Sequence, residues 1–550
     1  MIIKKLKLLN FKKHIDKACE FNDDINIIVG DNESGKSSLL EAIEICANFT
    51  YRGKPLSSEL STDLFNSTCV TNYLQGNLAQ NTLPEILIEL YLDGDPSLRG
   101  NNNSEGEDTE GIFVRVFFDP DLSDPYANFI ANPDNVSTLP IEFYKTEWFS
   151  FAWNRMTHHN KKVNCLFVDP SRLHPTYGRS KYINSIINAA LDRPSRSTLN
   201  LNYRQLKARF DNEADVVAIN NNLDAENDVT DKSLKITADI GSKTNWESNL
   251  ELTVDDVSFS QIGKGEQNQI QIKLALQNRA EDVDVIMLEE PENHLSHINL
   301  VQLISHIEKK NEGKQVFLTT HSSYVLNKLS INKLCLLSNE YSKLSDIDEG
   351  TIKTLKRLPG YDTLRAILAK HPILVEGPSD ELLLKKKYLN NNDRLPEEDG
   401  IDIIVVRGIG FKTYLNIAKI LGHPIRIVKD NDGDHQKNII DWSNTYDAYD
   451  FITCFSPEDN NQSSLEPALI EVNSNTEENL DRLAKVMFST QTNNTYLGLE
   501  SIQEKKEFFE NWYKGEGGGK KKVDSAIRIF ESDEEIIFPE YLEQAINYEP

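Results

Sequence analysis

Residues 30–37 read Gly30-Asp31-Asn32-Glu33-Ser34-Gly35-Lys36-Ser37, which is the Gly-x4-Gly-Lys-Ser spacing of a phosphate-binding loop. The apolar run 25–29 before it predicts a buried strand, and apolar residues at helical spacing after it predict a helix. In that setting the loop N–H groups close around phosphate oxygens at the positive end of the helix. We expect Lys36 to reach the β- and γ-phosphates of ATP and Ser37 to hold Mg²⁺. The other loop residues expected at the nucleotide are Gly30, Asn32, Gly35 and Ser38.

The composition limits the kind of protein that carries this loop. With 550 residues, 39% of them hydrophobic and 26% charged, the chain is expected to be a soluble protein of two or more domains. It contains no apolar run of the roughly 18 residues that a membrane helix needs. Its scattered cysteines and the lack of a C-x2-C pair predict free thiols in the cytoplasm. The net charge of −27 argues against a general nucleic-acid coat protein, so DNA contact would need local basic patches or a partner.

Two later segments complete the predicted nucleotide machinery. Gly263 and Gly265 lie in Gly-Lys-Gly-Glu before an apolar-periodic helix, although this segment alone indicates no more than a helix start. A buried strand then delivers Glu289 and Glu290 at its carboxyl end, where parallel α/β sheets bind ligands. One carboxylate can hold the Mg²⁺ shell and the next can polarise water. Another strand ends at His321, which we interpret as a sensor of the γ-phosphate.

The stretch 51–160 differs in character from the residues around it. Asparagine, aspartate and glycine gather at 93–110, which predicts an exposed loop. On either side, 85–92 and 112–118 alternate or run apolar like strands. We therefore expect a variable insertion with a sheet of its own.

The C-terminal part repeats a pattern of apolar strands that end in acids or glycines. Glu376 follows the strand 371–375, and Asp430 and Asp432 follow the strand 424–428. Residues two apart in an extended segment share a face, so the two aspartates point the same way. Carboxylate oxygens suit Mg²⁺ or Mn²⁺, and two such ions can clamp the attacking and leaving oxygens of a phosphodiester. Asp-x-Asp-Gly alone is compatible with an acidic turn, but the glutamate at a neighbouring strand end favours a metal site.

These motifs together resemble a known family. The order of phosphate loop, Gly-Lys-Gly-Glu-Gln, Glu-Glu-Pro-Glu-Asn-His-Leu and Thr-Thr-His-Ser is similar to ABC-type ATPases of the structural-maintenance and RecF group. The segment with Glu376-Gly377 and Asp430-x-Asp432 resembles a Toprim (topoisomerase–primase) domain. An ABC-type ATPase followed by Toprim resembles the OLD (overcoming lysogenization defect) family, which includes the nuclease subunit of Gabija phage defence and effectors beside some retrons.

The resemblance implies an α/β architecture with two functional parts. An ABC/RecF-like ATPase would occupy 1–345, including the variable insertion at about 51–160 and a dimerisation segment at about 170–235. A connector at 346–370 would lead to the Toprim domain at 371–550. A homodimer or a higher homo-oligomer is therefore expected.

The resemblance also implies roles for individual residues. Glu289 would lie near magnesium and Glu290 would be the base for the attacking water, although the family's usual pair is Asp-Glu. Gly263 and Gly265 would act on the nucleotide of the partner subunit. Asp380 and Glu466 would join Glu376, Asp430 and Asp432 as metal ligands. A lysine before a C-terminal helix would stabilise the phosphate in the transition state, and Lys522 fits best within Lys520–Lys522.

The implied function is metal-dependent DNA cleavage under nucleotide control, in bacterial defence against phage. A helicase, or a retron reverse transcriptase with its non-coding RNA, would be a possible partner. Lys520–Lys522, Lys385–Lys387 and Lys412 are candidates for the DNA-contact patch. The main alternative is a DNA-bound repair ATPase of the RecF/SMC kind whose Toprim half only binds. A topoisomerase-like strand transferase would need a nucleophilic tyrosine, and no motif marks one of the 19 tyrosines.

Overall fold

The chain divides into two structural units. The computed structural model describes residues 1–132, 136–169, 191–225, 232–238, 246, 252–278, 283–310, 313–337, 341–344, 347–357, 363–406, 410–515 and 518–547. The N-terminal unit comprises Met1–Thr320 with Leu337–Tyr341, and the C-terminal unit comprises His321–Leu336 with Ser342–Pro550. None of the helices in these described stretches is both long enough and apolar enough to cross a bilayer.

An antiparallel sheet forms one layer of the N-terminal unit. Its central strand Ile2–Phe11 pairs with His14–Glu20 on one side and with Ile86–Asp93 on the other. The expected separate sheet within 51–160 is therefore wrong, because these strands extend the N-terminal sheet. Alternating polarity predicts a strand but does not identify its neighbour, which is chosen by packing. The strand order is Arg155–Met156, Tyr144–Ser150, Thr109–Phe118, Ile86–Asp93, Ile2–Phe11 and His14–Glu20, with Arg99–Gly100 paired to Thr109–Phe118.

The second layer of the N-terminal unit is a parallel sheet that carries the phosphate loop. Four of its strands follow the order Cys165–Val168, Val285–Glu289, Gln315–Thr319 and Ile25–Val29. Strand Ile25–Val29 is buried along its whole length, as its apolar run predicts. The register pairs Glu289 with Thr319 and Thr319 with Ile28. The carboxyl ends of these strands consequently reach one edge of the sheet together.

Helices and short hairpins complete the N-terminal unit. The hairpins pair Thr50–Tyr51 with Lys54–Pro55 and Thr253–Val254 with Val257–Ser258. The helices are Lys36–Asn48, Leu56–Glu59, Ser67–Gln75, Ser123–Ile130, Arg193–Phe210, Ala214–Ala225, Lys264–Asn278 and His297–Lys310. Residues 170–190 and 226–231 of the expected dimerisation segment lie outside the described residues.

A parallel sheet is the centre of the C-terminal unit. Its strand order is Ile401–Val405, His371–Val375, Ile425–Val428 and Ile452–Phe455. The last residues of the strands are paired with one another, since Val375 is opposite Val428 and Val428 is opposite Phe455. The segments that follow the strands therefore start at one edge, which confirms the predicted parallel α/β arrangement.

Helices cover both faces of this sheet. Ile373 and Val375 pack into one hydrophobic core and Leu374 into another, as the alternation of a strand buried on both faces requires. The helices of the unit are Ser323–Leu329, Glu349–Arg357, Thr363–Leu368, Pro378–Asn392, Phe411–Leu421, Asp441–Ser443, Leu465–Asn473, Glu477–Met487, Thr490–Leu497, Ile502–Lys514, Gly518–Glu531 and Glu540–Asn547. Short strands at Leu334–Leu337 and Tyr341–Lys343 lie where the chain passes between the units.

Candidate nucleotide and metal sites

The phosphate loop is a tight turn that requires glycine. Gly35 has a φ of 96° immediately before helix Lys36–Asn48, a conformation that side chains with a Cβ rarely adopt. A Cβ on Gly35 would also lie 2.5 Å from Nε2 of His14. A Cβ on Gly30 would lie 2.2 Å from the carbonyl oxygen of Leu337. The two glycines therefore leave room for the close path of the loop, whose N–H groups lie at the start of the helix, where its dipole favours an anion.

Lys36 is folded into the loop. Its Nζ donates to the carbonyl oxygens of Gly30, at 2.8 Å, and Asp31, at 2.9 Å, and the residue is only 7% exposed. Burial lowers the pKa of Lys36, whereas the charges of Glu290, Asp31 and Glu289 raise it. A phosphate can replace the two carbonyl acceptors and supply the negative charge that this buried ammonium lacks.

Ser37 and Glu289 bring the loop and the neighbouring sheet strand together. The Ser37 hydroxyl donates a hydrogen bond to Oε1 of Glu289, although the two residues are 252 positions apart. A hydroxyl oxygen and a carboxylate oxygen side by side are ligands that suit Mg²⁺ bound to nucleotide phosphates. These residues therefore fit the ion that the motif implies.

Glu290 is held in an unusual backbone conformation. Its φ is 41°, which is strained for a residue with a side chain. The N–H of Glu290 donates to the carbonyl oxygen and to Oγ1 of Thr319, both at 3.1 Å. Asn293 donates from Nδ2 to Oε2 of Glu290 at 2.7 Å. The carboxylate is thus fixed at the strand end, where a base for water would have to lie.

Gly263 and Gly265, which are predicted to act at the nucleotide of a partner subunit, have different surroundings. A Cβ on Gly265 would lie 2.2 Å from the carbonyl oxygen of His294 in the same chain. Asn268 adds a hydrogen bond of 2.9 Å from Nδ2 to the carbonyl of Asn293. Gly265 therefore lies too close to its own chain to carry a side chain, and its expected role across a dimer stays a prediction. Gly263 is exposed, with open space around a Cβ, and its role across a dimer stays a prediction.

The remaining nucleotide candidates occupy varied positions. Asn32 and His321 are exposed, whereas Ser38 is buried. Thr320, immediately before His321, donates to Oε1 of Glu292 at 2.7 Å. The sequence interpretation did not include His14, because no motif connects it with the loop. Its ring lies against the loop, with Nε2 3.5 Å from the Gly35 carbonyl oxygen, and burial lowers its pKa.

Four carboxylates influence one another at the carboxyl edge of the C-terminal sheet. Burial raises the pKa of Asp430 to about 8, and the charges of Asp380, Glu376 and Glu466 add to the effect. Burial also raises the pKa of Asp380 to about 7, where Glu466 and Glu376 again contribute. Like charges held together in a low-dielectric environment oppose ionisation. This mutual influence indicates that the predicted acids surround a common region.

Local structure positions these acids. Asp380 lies in the first turn of helix Pro378–Asn392, and its Oδ2 accepts a 2.9 Å hydrogen bond from the N–H of Gly377. Glu466 occupies the first turn of helix Leu465–Asn473 and is buried. Asp432 has a φ of 49° and is exposed, and its N–H donates to the Ser463 carbonyl at 3.0 Å.

The acids fit a divalent cation by the chemistry of their oxygen atoms. Hard carboxylate oxygens are the ligands that Mg²⁺ and Mn²⁺ prefer. Within the described stretches, no three His, Cys, Asp or Glu side chains are already close enough to enclose one ion. Side-chain rotation would therefore accompany metal binding.

Lys522 pairs with one of the acids, whereas Lys521 contacts a backbone carbonyl. The Nζ of Lys522 lies 2.7 Å from Oε2 of Glu466. Lys521 instead donates to the Trp512 carbonyl at 3.0 Å, and the side chain of Lys520 lies outside the described residues.

The prediction that Lys385–Lys387 form an open patch for DNA contact is wrong. Lys385 pairs with Glu381 and Glu397, Lys386 is buried and donates to the Ser532 carbonyl, and Lys387 pairs with Glu543. A run of lysines in sequence spreads around a helix, so each member meets a different neighbour. Lys412 is exposed.

Tyr541 is the residue near the acids that the sequence interpretation missed. It is buried in helix Glu540–Asn547. Burial raises its pKa well above the ordinary value, with further contributions from Asp380, Asp430 and Glu466. Its neighbours in sequence form no recognisable motif, so only the folded chain associates it with the site.

Known proteins match separate parts of the chain. Family models match an AAA ATPase domain over residues 1–106, a further AAA domain over 171–327, and the TOPRIM domain of overcoming lysogenization defect protein-like proteins over 367–432. The described fold agrees with this division, since each unit has a parallel sheet with its candidate site at the carboxyl edge. The chain therefore joins an ATPase domain to an OLD-like Toprim domain.

Curated relatives are similar over shorter stretches. The DNA replication and repair protein RecF of Clostridium beijerinckii is 31% identical over 125 residues, which are 22% of this chain and 33% of the relative. RecF of Lachnoclostridium phytofermentans is 45% identical over 174 residues, 30% of this chain and 44% of the relative. Endonuclease GajA of Bacillus cereus is 25% identical over 230 residues, 35% of this chain and 33% of the relative. The chain thus spans less than half the length of these relatives.

The nucleotide site leads to a prediction that separates binding from turnover. Lys36→Ala should weaken ATP binding at least about 10-fold, because a charge-assisted contact to the phosphates is lost. Glu290→Gln should keep the ATP affinity and slow hydrolysis by about 100-fold, because an amide cannot accept a proton from water. Calorimetry and phosphate release measure the two effects. Lys54→Ala, which removes an exposed lysine paired with Glu59, is the control. Equal ATP affinity in the unaltered and Lys36→Ala proteins would contradict the role of Lys36.

The acids lead to a prediction about stability in metal-free solution. The pKa of Asp430 is about 8 in the folded chain against an ordinary 3.8, so folding favours its protonated form. Its contribution to stability is full below about pH 4 and is lost as the pH rises through about 8. The free energy of unfolding should therefore fall over this range. Asp430→Asn should reduce the fall by at least about 1 kcal/mol between pH 5 and 8, as measured by urea unfolding in EDTA.

Asp393→Asn is the matched control for that experiment. Asp393 is exposed and has a φ of 55°, which asparagine tolerates, so this variant should follow the unaltered protein. The free energy of unfolding of Asp430→Asn should still fall with rising pH, because Asp380 titrates in the same range with a pKa of about 7. Identical pH profiles for all three proteins would show that Asp430 is ionised in the folded chain at neutral pH.

Proposed function

We propose that this ATPase–Toprim protein of the OLD (overcoming lysogenization defect) family is a metal-dependent DNA endonuclease that ATP regulates and that defends bacteria against phage. The observation that best supports this proposal is the group of acids at the edge of the C-terminal sheet, with Lys522 paired to Glu466. Asp380 and Glu466 are buried, Asp430 is half-buried, and Glu376 and Asp432 are exposed. The similarity to the endonuclease GajA supports the same reaction.

The residues at this edge can take different roles in phosphodiester hydrolysis. Glu376, Asp380, Asp430, Asp432 and Glu466 would hold Mg²⁺ or Mn²⁺, which supplies Lewis-acid stabilisation of the attacking and leaving oxygens. Glu466 positions the Lys522 ammonium at 2.7 Å beside the acids. From there the ammonium can stabilise negative charge on a phosphate oxygen in the transition state.

The RecF-like reading remains a second candidate, because the RecF relatives also match this chain. In that case the protein would be a DNA-bound repair ATPase whose Toprim half only binds. A binding surface gains nothing from buried carboxylates with raised pKa values, which cost stability at neutral pH. Such a cost is usual where acids serve chemistry. The endonuclease reading therefore explains more of the C-terminal unit.

Assembly and partners follow from the same proposal. The helices Arg193–Phe210 and Ala214–Ala225 expose several large apolar side chains, among them Leu201, Leu206 and Phe210. Exposed apolar groups on adjacent helices favour an interface, so we infer that the segment 170–235 forms a homodimer or higher homo-oligomer. DNA is the proposed substrate, with Lys412 at its contact surface. A helicase, or a reverse transcriptase with its RNA, would be a protein partner in the cytoplasm.

Cleavage should depend on the acids at this edge. Asp430→Asn should lower cleavage of plasmid or phage DNA in Mg²⁺ or Mn²⁺ by at least about 100-fold, because an amide is a poor metal ligand and carries no charge. Lys522→Ala should lower cleavage to a similar degree. Gel assays with purified protein measure both. The control Asp393→Asn removes an exposed carboxylate from the same unit and should cut normally. Unimpaired cleavage by Asp430→Asn would locate the reaction elsewhere or favour the RecF-like alternative.

Nucleotide should change the rate of DNA cleavage. The chain passes from the N-terminal to the C-terminal unit at Thr320–His321, close in sequence to the strand end of the proposed γ-phosphate sensor. ATP or a non-hydrolysable analogue should inhibit cleavage by about 5-fold or more, the usual scale of a coupling free energy of 1–3 kcal/mol. A defence nuclease must be inactive in a healthy cell rich in ATP.

Variants separate this coupling from simple inhibition by chelated metal. Lys36→Ala should abolish the response to ATP, and His321→Ala should reduce it without changing the rate in the absence of nucleotide. His158→Ala, which removes another exposed histidine, is the matched control. Identical cleavage time courses with and without saturating nucleotide, at constant free Mg²⁺, would refute regulation by ATP.

A further inference from the structure

The Tyr541 hydroxyl is a buried polar group that has no hydrogen-bond partner among the residues that the structure describes. The residue is 6% exposed and its hydroxyl oxygen is inaccessible to solvent. Two other buried tyrosines of the same unit, Tyr496 and Tyr513, are paired. Tyr496 donates to Oδ1 of Asp481 at 2.9 Å, and the Tyr513 hydroxyl lies 3.0 Å from Oγ of Ser525. An unpaired buried hydroxyl lowers stability, so its presence calls for a reason outside simple packing.

The surrounding structure holds Tyr541 at one place in the sheet. Helix Glu540–Asn547 packs against strand Ile425–Val428 and against helix Pro378–Asn392, which carries Asp380. Buried Arg426, near the start of that strand, donates from Nη1 to the carbonyl oxygens of Ala545, at 2.9 Å, and Ile546, at 3.2 Å. This contact binds the end of the helix near the start of the strand. The beginning of the helix, which carries Tyr541, then lies toward the edge where the strand ends, two residues before Asp430.

The electrostatic surroundings agree with that location. Besides burial, the charges of Asp380, Asp430, Glu466 and Glu376 all raise the pKa of Tyr541. The hydroxyl therefore keeps its proton at physiological pH and acts as a hydrogen-bond donor. A nucleophilic tyrosine would need the opposite, an accessible oxygen that loses its proton readily.

We propose that Tyr541 is a positioning residue of the metal site, and that its hydroxyl donates a hydrogen bond to the carboxylate of Asp380 when that carboxylate binds a divalent cation. This inference rests on the proposed function, since it requires the acids to hold metal. A carboxylate bound to a cation through one oxygen still has lone pairs to satisfy. Oδ2 of Asp380 already accepts from the N–H of Gly377 at 2.9 Å. A second donor would fix the rotation of the carboxylate, as partners of metal ligands do.

The experiment uses the full chain and two tyrosine variants that each remove a single oxygen. Tyr541→Phe removes the proposed donor. Tyr496→Phe is the matched control, because Tyr496 is also buried in the C-terminal unit but pairs with Asp481, which lies outside the predicted ligand set. Binding of Mn²⁺ is measured by calorimetry without nucleotide, and the component absent from Asp430→Asn defines the site. Thermal unfolding in EDTA measures stability without metal.

Tyr541→Phe should weaken the Asp430-dependent Mn²⁺ affinity by about 10-fold, the lower end of the effect for such partners. In EDTA its unfolding midpoint should be equal to or above that of the unaltered protein, because the unpaired hydroxyl is gone. Tyr496→Phe should do the reverse, with a lower midpoint and an unchanged Mn²⁺ affinity. This crossed pattern distinguishes positioning of a ligand from a general effect on folding.

Four results would overturn the inference. Unchanged Mn²⁺ affinity in Tyr541→Phe, with the Asp430-dependent component intact, would refute the role of Tyr541 and leave the proposed function standing. A midpoint in EDTA lowered as much as in Tyr496→Phe would show that the hydroxyl is structural, as would failure of Tyr541→Phe to fold. Absence of any Asp430-dependent Mn²⁺ binding in the unaltered protein would overturn the proposed metal site together with this inference.

Discussion

The confinement of like charges at the edge of a parallel sheet is the constraint on which the C-terminal unit depends. Asp430 and Asp380 have pKa values raised to about 8 and about 7, mainly by burial. Carboxylates destabilise a fold when they are buried without compensation. The surrounding structure keeps them there through two hydrophobic cores on the two faces of the sheet. The Gly377 N–H and the Lys522 ammonium compensate part of the charge.

Both units bring polar residues from distant parts of the chain together at the carboxyl edge of a parallel sheet. Parallel strands in register end together, so short segments from distant parts of the chain meet at one edge. In the N-terminal unit this brings Glu289 to the hydroxyl of Ser37. In the C-terminal unit it brings Glu376 and Asp430 within reach of each other's charge. Apolar strands buried on both faces provide the rigid base, and the polar residues lie just beyond their ends.

The errors of the sequence interpretation have specific physical causes. Polarity alternation in 85–92 and 112–118 correctly indicated strands, yet it could not reveal that Ile86–Asp93 pairs with Ile2–Phe11. Three consecutive lysines suggested a basic patch, but Lys386 is buried and its neighbours form ion pairs. Pairing partners and the direction of side chains on a helix depend on what packs nearby, which a local pattern does not contain.

The sequence by itself determined the features that short segments encode. The glycine spacing of 30–37, the apolar strands, and the acids that follow them predicted a nucleotide loop and a parallel α/β sheet with an acidic edge. Such features depend on backbone freedom and on periodicity within a few residues. Tertiary structure alone decided that Lys522 pairs with Glu466 while Lys521 turns away, and that Tyr541 lies near the acids. These relations arise from strand register and helix packing, because each joins residues that are far apart in the chain.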